Sequence, residues 1–511
     1  MERVSRREFL KKSGAVVAYA SVPFILQGCM TNDKAKFREA TALVFDRFGV
    51  DDAMLKKILQ AAMSKGGDFA DIYFEFSRSN NISIEDSLVS RASSNVTLGM
   101  GVRVLKGDQT GYSFTEELTP ETMLRVANTA ANIAIGSSKN ISVGFEIQKN
   151  SDFYPIETRW EDAGIDQRIS LIKKVDTMIY SLDSRVSKAN VNISDDERYL
   201  LYANSEGIIA EDYQPMTRLG ASVVAVQNGR RENNFHNYSL RSDIRFYTEE
   251  KLETLAKETV RRTTALFDAV NAPAGEMPVV LAAGSSGILL HEAIGHGMEA
   301  DFNRKGISIY SDKIGKMIAE PFVTIVDNAM NKNIRGSINV DDEGVPGQRT
   351  VLVDNGKMVS YIHDRISAKH YGVKPTGNGR RESFRHKPLP RMRNTYMENG
   401  PHTPEEIIAS VKKGIYADQF TNGEVNIGAG DFTFYVKSGY LIEDGKLTKP
   451  VKDVNIIGNG PDVLTKIVMV ADDLKLSEGG WTCGKDGQGV PVSQGIPTCK
   501  ISSVTVGGMN S

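Results

Sequence analysis

The chain has 511 residues, 40% of them hydrophobic and 25% charged, which is the composition of a folded, water-soluble protein of about three domains. Because 62 Lys and Arg nearly balance 64 Asp and Glu, the formal net charge of -2 creates no field that would collect nucleic acid, and no nucleic-acid partner is expected. After the first 30 residues no apolar run approaches the ~20 residues that cross a bilayer, which excludes a multi-span membrane protein.

Residues 1–29 have the order of a signal peptide: the pair Arg6-Arg7, an apolar run from Ala15 to Leu26, and Cys29. The paired arginines resemble a twin-arginine signal, and the residues around Cys29 resemble a lipobox. This interpretation predicts export to the periplasm, with lipidated Cys29 as the only attachment to a membrane and residues 30–45 as a tether. The alternative is an ordinary amphipathic first helix.

The periodicity of the remaining chain predicts an α+β fold in three parts. Residues 46–138 form an N-terminal α+β domain with helices near Asp51–Ser64 and Pro120–Ile135, and residues 139–272 form a middle α+β domain. A turn-rich boundary near Pro273 opens the third domain, 273–511, which is rich in glycine and strands.

One helix of the third domain carries His291, Glu292 and His296. In a regular helix, at ~100° per residue, the two histidines would point about 140° apart. A π-bulge, made easy by Gly295, would bring both imidazoles to one face. This spacing alone is compatible equally with a structural histidine pair and with a metal site.

Two further features favour a metal. The chain has only seven histidines, and two of them fall within this segment. Cys483 lies in a glycine-rich stretch and would complete a set of three zinc ligands, which leaves a fourth position for water. The competing interpretation is a disulfide between Cys483 and Cys499, which an oxidising compartment would permit.

Several motifs together resemble the TldD/PmbA family of peptidases, in particular its metal-binding TldD branch. The similarity extends over nearly all of the chain after the signal, although the signal itself is not expected in cytoplasmic family members. The segments that carry it are His291–Phe302, Pro375–Ser383, Pro390–Thr395, Thr482–Lys485, Ala70–Glu75 and Gly99–Val104.

The resemblance implies a catalytic C-terminal domain that binds Zn²⁺ through His291, His296 and Cys483, with Glu292 as the general base. It also implies unstructured peptides as substrates. The expected assembly is a homodimer, or a heterodimer with a metal-free PmbA-like subunit. Zinc in such a site lowers the pKa of bound water, and Glu292 would take its proton and pass it to the leaving amine.

A glycine-rich turn is the candidate substrate-binding element. Its backbone amides and its two arginines could hold a peptide backbone or a terminal carboxylate, or the turn could be a solvated basic loop. The candidate residues are Gly377, Asn378, Gly379, Arg380 and Arg381.

Two other functions are compatible with the sequence. The chain could be a non-catalytic partner subunit, although such a subunit would need none of the four site residues. It could also be a binding lipoprotein with a structural zinc, which would show four protein ligands and no open position.

Overall fold

The computed structural model describes residues 45–139 and 144–508. The predicted signal peptide with Cys29, and the tether as far as residue 44, lie outside these ranges. Within them, none of the helices has both the length and the apolar character needed to span a bilayer.

The first half of the chain alternates long strands with amphipathic helices. The helix Asp52–Ala62 begins where the Asp51 carboxylate accepts a hydrogen bond from the backbone N–H of Met54, and its apolar residues face the sheet. The elements are α1 (Asp52–Ala62), β1 (Phe69–Glu85), β2 (Leu88–Lys106), β3 (Gln109–Thr115), α2 (Pro120–Ala131), β4 (Glu146–Ile147), α3 (Ile165–Leu182), β5 (Val186–Asn204), β6 (Ile208–Gln227), β7 (Arg230–Leu240) and α4 (Glu249–Thr264).

These strands form one sheet, in the order β3-β2-β1-β5-β6-β4, with β7 paired to β6. Because β1 pairs with β5 in antiparallel register from Asp71 opposite Asn204 to Glu85 opposite Asn190, the sheet continues across the predicted boundary at residues 138 and 139. Two separate cores lie on this sheet, one beneath α1 and α2 and one beneath α3 and α4. The first two predicted domains are thus two helix pairs that lie side by side on one face of a shared sheet.

The second half contains many short strands, as the glycine content predicts. Its elements are β8 (Val270–Asn271), β9 (Gly275–Leu281), α5 (Ile288–Leu290), α6 (Ala300–Asn303), β10 (Ile325–Asn328), β11 (Arg349–Asp354), β12 (Lys357–Met358), α7 (Arg365–Tyr371), β13 (Gly379–Arg380), β14 (Leu389–Pro390), β15 (Asn394–Met397), α8 (Pro404–Ala409), β16 (Lys413–Val425), β17 (Asp431–Glu443), β18 (Lys446–Asn459), α9 (Gly460–Thr465), β19 (Ile467–Val470), β20 (Lys475–Leu476), β21 (Thr482–Lys485), β22 (Gln488–Pro491), β23 (Ser493–Ile496) and β24 (Cys499–Gly508).

Two sheets dominate this half, one in the order β19-β24-β9-β16-β17-β18-β8 and one in the order β12-β11-β10-β15-β23-β20. Helix α5 contacts β16 of the first sheet and both β15 and β23 of the second. The helical segment that begins with α5 is therefore held between two sheets, and β21 pairs with β22 as a separate hairpin.

Candidate metal centre

The helical segment after β9 changes its geometry at the histidine motif. Ile288–Leu290 is α-helical, His291–Gly295 forms a π turn, and His296–Met298 is a 3-10 turn. A π turn accommodates one extra residue, so residues five apart share a face. The imidazole rings of His291 and His296 accordingly have centroids 5.0 Å apart. The π turn that the spacing of the two histidines predicts is present.

Gly295 permits this close packing. A Cβ atom at this position would overlap Sδ of Met392, a side chain that is fully buried against the segment. The absence of a side chain lets the π turn lie directly on the second sheet, which makes Gly295 a packing requirement as well as a flexible point.

Cys483 lies on the β21–β22 hairpin, which places its side chain next to the two histidines. One potential ligand atom from each of His291, His296 and Cys483 lies within 4.8 Å of the others, and Cys483 Sγ is 3.4 Å from His296 Nε2. All three side chains are buried. Arg391 donates hydrogen bonds to the carbonyl oxygens of Cys483 and Gln488, which fixes the hairpin at the site.

The electrostatics of this cluster favour a thiolate. Burial alone would raise the pKa of the Cys483 thiol, but the adjacent imidazoles of His291 and His296 hold it well below its usual range. A thiolate is the form of cysteine that binds metals.

A buried carboxylate orients His296. Nδ1 of His296 donates to Glu299 at 3.1 Å, which leaves Nε2 directed toward Cys483. Lys485 lies 3.1 Å from Glu299 and 2.8 Å from Asp301. Burial would raise the pKa of Glu299, but Lys485 and His296 outweigh it and hold the pKa at about 2. A carboxylate on the second nitrogen of an imidazole is the usual support for a metal-binding histidine.

Sequence analysis missed the roles of Glu299 and Lys485, although spacing offered a signal. Glu299 follows His296 by three residues, and Lys485 follows Cys483 by two, so it lies on the same face of β21. Glu299 thus supports a histidine of its own segment, whereas Lys485 reaches Glu299 from the strand that carries Cys483.

Glu292 lies beside the cluster with its side chain 17% exposed, and its carboxylate is 3.9 Å from His296 Nε2. Burial raises the pKa of Glu292 above its usual value, while the two neighbouring imidazoles oppose this shift. A partly exposed carboxylate next to a cluster of ligand atoms has the position that a general base requires.

The donor set fits a catalytic zinc. Two imidazoles and one thiolate are ligands that zinc accepts, and the group comprises three residues in the part of the chain that the structure describes. Three protein ligands leave a coordination position open. Both Cys483 and Cys499 are free thiols, which does not agree with the alternative of a disulfide between them.

The predicted substrate-binding turn lies inside the protein. Gly377, Asn378, Gly379, Arg380 and Arg381 are all buried. Arg380 donates to the carbonyl oxygens of Met392 and Pro491. Arg381 donates to the carbonyl oxygen of Asp342 and to the hydroxyl of Tyr112 on β3, which joins the two halves of the chain. These contacts exclude the alternative of a solvated loop, and the substrate-binding role stays a prediction.

A cleft of about 790 Å³ lies between the middle and third domains. One wall consists of β6, β7 and α4; the other consists of the turn before α5, part of β16 and residues 475–481. The second wall leads to the cluster: Phe420 and Thr421 line the cleft, and on the same strand a Cβ at Gly423 would lie 3.5 Å from Cγ of Glu292. Trp481, which also lines the cleft, is two residues from Cys483.

Comparison with known proteins identifies this architecture. Residues 70–134, 158–267 and 274–508 match, in that order, the families described as PmbA/TldA metallopeptidase domain 1, central domain and C-terminal domain. The metalloprotease TldD homolog of Haemophilus influenzae is 40% identical over 450 residues, which cover 87% of this chain and 93% of that protein. The zinc metalloprotease TldD homolog of Saccharolobus solfataricus is 30% identical over 462 residues, 88% of this chain and 99% of that protein.

Among solved structures, TldE from Thermococcus kodakarensis has the same fold, with a TM-score of 0.68 at 21% identity; the match covers 93% of this chain and all of that one. The fold and these relatives define a metallopeptidase, an enzyme that hydrolyses peptide bonds. The chain belongs to the PmbA/TldD metallopeptidase family, as its motifs indicate.

Proposed function

We propose that this protein is a zinc-dependent peptidase that hydrolyses unstructured peptides, with His291, His296 and Cys483 as zinc ligands and Glu292 as the general base. The observation that carries the proposal is the convergence of three ligand atoms within 4.8 Å, next to a partly exposed carboxylate. The name of the Saccharolobus relative, a zinc metalloprotease, supports the choice of metal.

Zinc held by such a set acts as a Lewis acid that acidifies water and polarises a carbonyl. The protein supplies the remaining chemistry. Glu292 accepts the proton of the attacking water and then donates it to the leaving amine. Its raised pKa suits this exchange, because a more basic carboxylate accepts the proton more readily. Glu299 keeps the proton of His296 on Nδ1, so that Nε2 has its lone pair free.

The cleft favours extended substrates. Two strands at sheet edges, β7 and β20, contribute residues to its walls. An edge strand binds a peptide by strand addition, which requires that the backbone amides of the peptide be unpaired. A folded protein has already paired those amides, so the substrates are flexible chains.

The assembly and location are part of the proposal. The similarity to a TldE structure supports a dimer, either of two like subunits or with a PmbA-like partner. The sequence of residues 1–29 supports export to the periplasm and lipidation at Cys29, with no other membrane attachment. Mass spectrometry of the mature N-terminus would test the anchor.

Metal analysis combined with a peptide-cleavage assay tests the central claim. Protein purified without chelator is expected to contain about one zinc per chain and to cleave flexible peptides. Removal of zinc by a chelator should abolish cleavage, and added zinc should restore it. A bound zinc without cleavage would favour a structural zinc in a binding lipoprotein. The absence of both would favour a non-catalytic partner subunit.

Substrate form is tested with one protein in two states. The enzyme is incubated with a disulfide-containing protein in its native form and in its reduced, unfolded form, alongside short peptides. The unfolded form and the peptides should be cut, and the native form should resist. Equal cleavage of both forms would contradict binding by strand addition.

A further inference from the structure

Arg218 of β6 occupies a central position between two cavities. It lines the cleft of about 790 Å³ and also a second cavity of about 330 Å³. Its side chain packs on Gly480, where a Cβ atom would lie 3.1 Å from Arg218 Nε. Because Gly480 precedes Cys483 by three residues, Arg218 lies close to the segment that carries a metal-ligand candidate.

This guanidinium has no counter-charge. Among residues 45–139 and 144–508, Arg218 makes no hydrogen bond from its side chain and has no carboxylate within 4.0 Å. Two other cations of the same cleft are paired: Lys251 lies 3.6 Å from Glu478, and Arg262 lies 3.5 Å from Glu258. Lys475 also lines the cleft and forms no ion pair within the described residues, but its ammonium lacks the planar fork of a guanidinium. The cleft therefore contains one guanidinium with its full bonding capacity unused.

Further arginines lie behind Arg218. Arg335 lines the second cavity and donates to the carbonyl oxygen of Trp481 and the hydroxyl of Ser239. Burial together with nearby Arg241 and Arg218 lowers the pKa of Arg335 to about 10. Within the described ranges neither Arg335 nor Arg241 forms an ion pair.

Two acids line the second cavity, and one of them, Asp195, is paired with Arg168 at 2.7 Å. Asp196 lines the second cavity with Arg218 and Arg335, but its carboxylate forms no ion pair within 4.0 Å in the described part of the chain. Burial raises the pKa of Asp196 to about 6, so this carboxyl is mostly ionised at pH 7 and supplies one negative charge opposite several arginines. The local charge therefore stays positive, which favours an incoming carboxylate at the exposed guanidinium of Arg218.

We propose, on the basis of the peptidase function above, that Arg218 binds a carboxylate of the peptide substrate, with the charge of Arg335 behind it. The carboxylate is the free C-terminus of the peptide or an acidic side chain near the cleaved bond. A guanidinium that is free, open to the cleft and fixed against Gly480 can bind a carboxylate through two parallel hydrogen bonds.

The position of Arg218 limits where the peptide is cut. Three residues of chain span no more than about 11 Å, so Arg218 Nε lies within about 16 Å of the Cys483 backbone. An extended peptide covers ~3.3 Å per residue, so about five residues or fewer would separate the bound carboxylate from the cleaved bond. Binding of the C-terminus would therefore release short C-terminal fragments.

Peptide binding can be measured without turnover in zinc-loaded Glu292→Gln protein. The chain has two tryptophans, and Trp481 lines the cleft, so its fluorescence reports occupancy. Three versions of one peptide separate the two sources of carboxylate: a free C-terminal acid, the C-terminal amide, and the amide with one internal Gln replaced by Glu. We expect the acid, or the Glu-containing amide, to bind about 10-fold or more tightly than the plain amide.

Arg218→Gln should reduce this ratio to about one. Arg231→Gln is the matched control, because it removes the same charge from an exposed site on the adjacent strand β7 and should leave the ratio unchanged. Equal binding of all three peptides by Glu292→Gln protein with Arg218 intact would overturn the proposal. An Arg218→Gln variant that changes the oligomeric state while keeping the ratio would assign Arg218 to subunit association and also overturn it.

Turnover by the wild-type enzyme separates this inference from the proposed function. Cleavage of acid and amide at equal rates, with no bias toward short C-terminal fragments by mass spectrometry, would remove the carboxylate subsite and leave the peptidase intact. Failure to cleave any peptide would instead contradict the proposed function itself.

Discussion

The histidine motif and the arginine-rich turn at Gly377–Arg381 are both buried and polar, yet they differ in how their bonding capacity is used. Asn378 donates to Asp327 and to the Arg391 carbonyl, so its amide group is satisfied within the fold. At the histidine motif, Nδ1 of His291 has no hydrogen-bond partner among the described residues, and three ligand atoms converge. In the turn, Nε of Arg381 also lacks a partner among the described residues, but it is a donor and is not part of a convergent group. The histidine motif, with convergent unused lone pairs, is the one that is ready for a ligand.

The largest effect is expected at the centre, with Glu292→Gln. This change keeps the shape of the side chain but removes the proton acceptor, so kcat should fall about 10²- to 10⁴-fold while zinc content stays the same. Steady-state kinetics and metal analysis on the same preparation measure both quantities. Full activity in this variant would mean that another group acts as the base.

Cys483→Ala tests whether the convergent atoms are ligands. The variant should lose most of its zinc and its activity, because two imidazoles alone form an incomplete site. Cys499→Ala is the matched control: Cys499 is also a buried free thiol, and its replacement should cost about 1–3 kcal/mol of stability but no zinc. Equal zinc content in both variants would contradict the ligand assignment.

Arg393→Met probes the structural motif instead. Arg393 pairs with Asp327 at 2.6 Å, both side chains are fully buried, and Arg393 also donates to the carbonyl of Gly377. Removing one partner of a buried ion pair costs about 3–5 kcal/mol. Urea unfolding should show this loss, while the folded fraction keeps about one zinc per chain. A stable variant that lacks zinc would instead show that Arg393 serves the metal centre and not the stability of the fold.

Glu299→Gln should have a smaller effect, on metal affinity. The amide cannot accept the imidazole proton as strongly as the carboxylate does, so zinc should bind about 10- to 100-fold more weakly. Competition with a chromophoric chelator measures this Kd. Thr482→Ser, a conservative change on the exposed face of β21, should leave the Kd unchanged. An unaltered Kd in Glu299→Gln would exclude Glu299 as a positioning residue.

The smallest effect is expected at Asp68, which forms an exposed ion pair with Lys106, in contrast to the buried pair of Arg393 and Asp327. The Gly107 amide and Lys106 lower the pKa of Asp68 to about 2, against the opposing effect of burial. Because the folded pKa lies below the unfolded value, this carboxylate stabilises the protein above about pH 4, and the contribution is lost as pH falls toward 2. Asp68→Asn should cost less than about 1 kcal/mol at pH 6 and about a third of that at pH 2.5, measured by urea unfolding. A constant difference at both values would contradict this pH dependence.

Local patterns predicted much of the fold. Helix α1 matches the predicted helix near Asp51–Ser64, and the π turn follows from the spacing of His291 and His296 with Gly295 between them. The continuous sheet through β1 and β5 could not be predicted, because pairing partners more than 100 residues apart leave no periodic signal. Separate strands near Asp71–Phe76 and Ile82–Ile84 would suit the sequence, but pairing with β2 and β5 joins them into β1.

The site was predictable to the extent that its residues are rare. His291, His296 and Cys483 come from residue types of which the chain has few. Arg218 is one of many basic residues, and only the three-dimensional structure reveals that it has no partner among residues 45–139 and 144–508. Functional residues of rare types can therefore be predicted from the sequence, whereas a functional residue of an abundant type, such as arginine, cannot.

The shared sheet has a mechanical consequence for the cleft. One wall belongs to β6 and β7, which are hydrogen-bonded through β5 to β1 and so to the strands beneath α1 and α2. The other wall belongs to the third domain. The cleft cannot widen by moving one domain layer alone, since that would break a ladder of backbone hydrogen bonds. The sheet is also tied to the third domain by the buried ion pair of Arg103 with Glu343 and by the hydrogen bond from Arg381 to Tyr112, so the width of the cleft is set by the sheet as a whole.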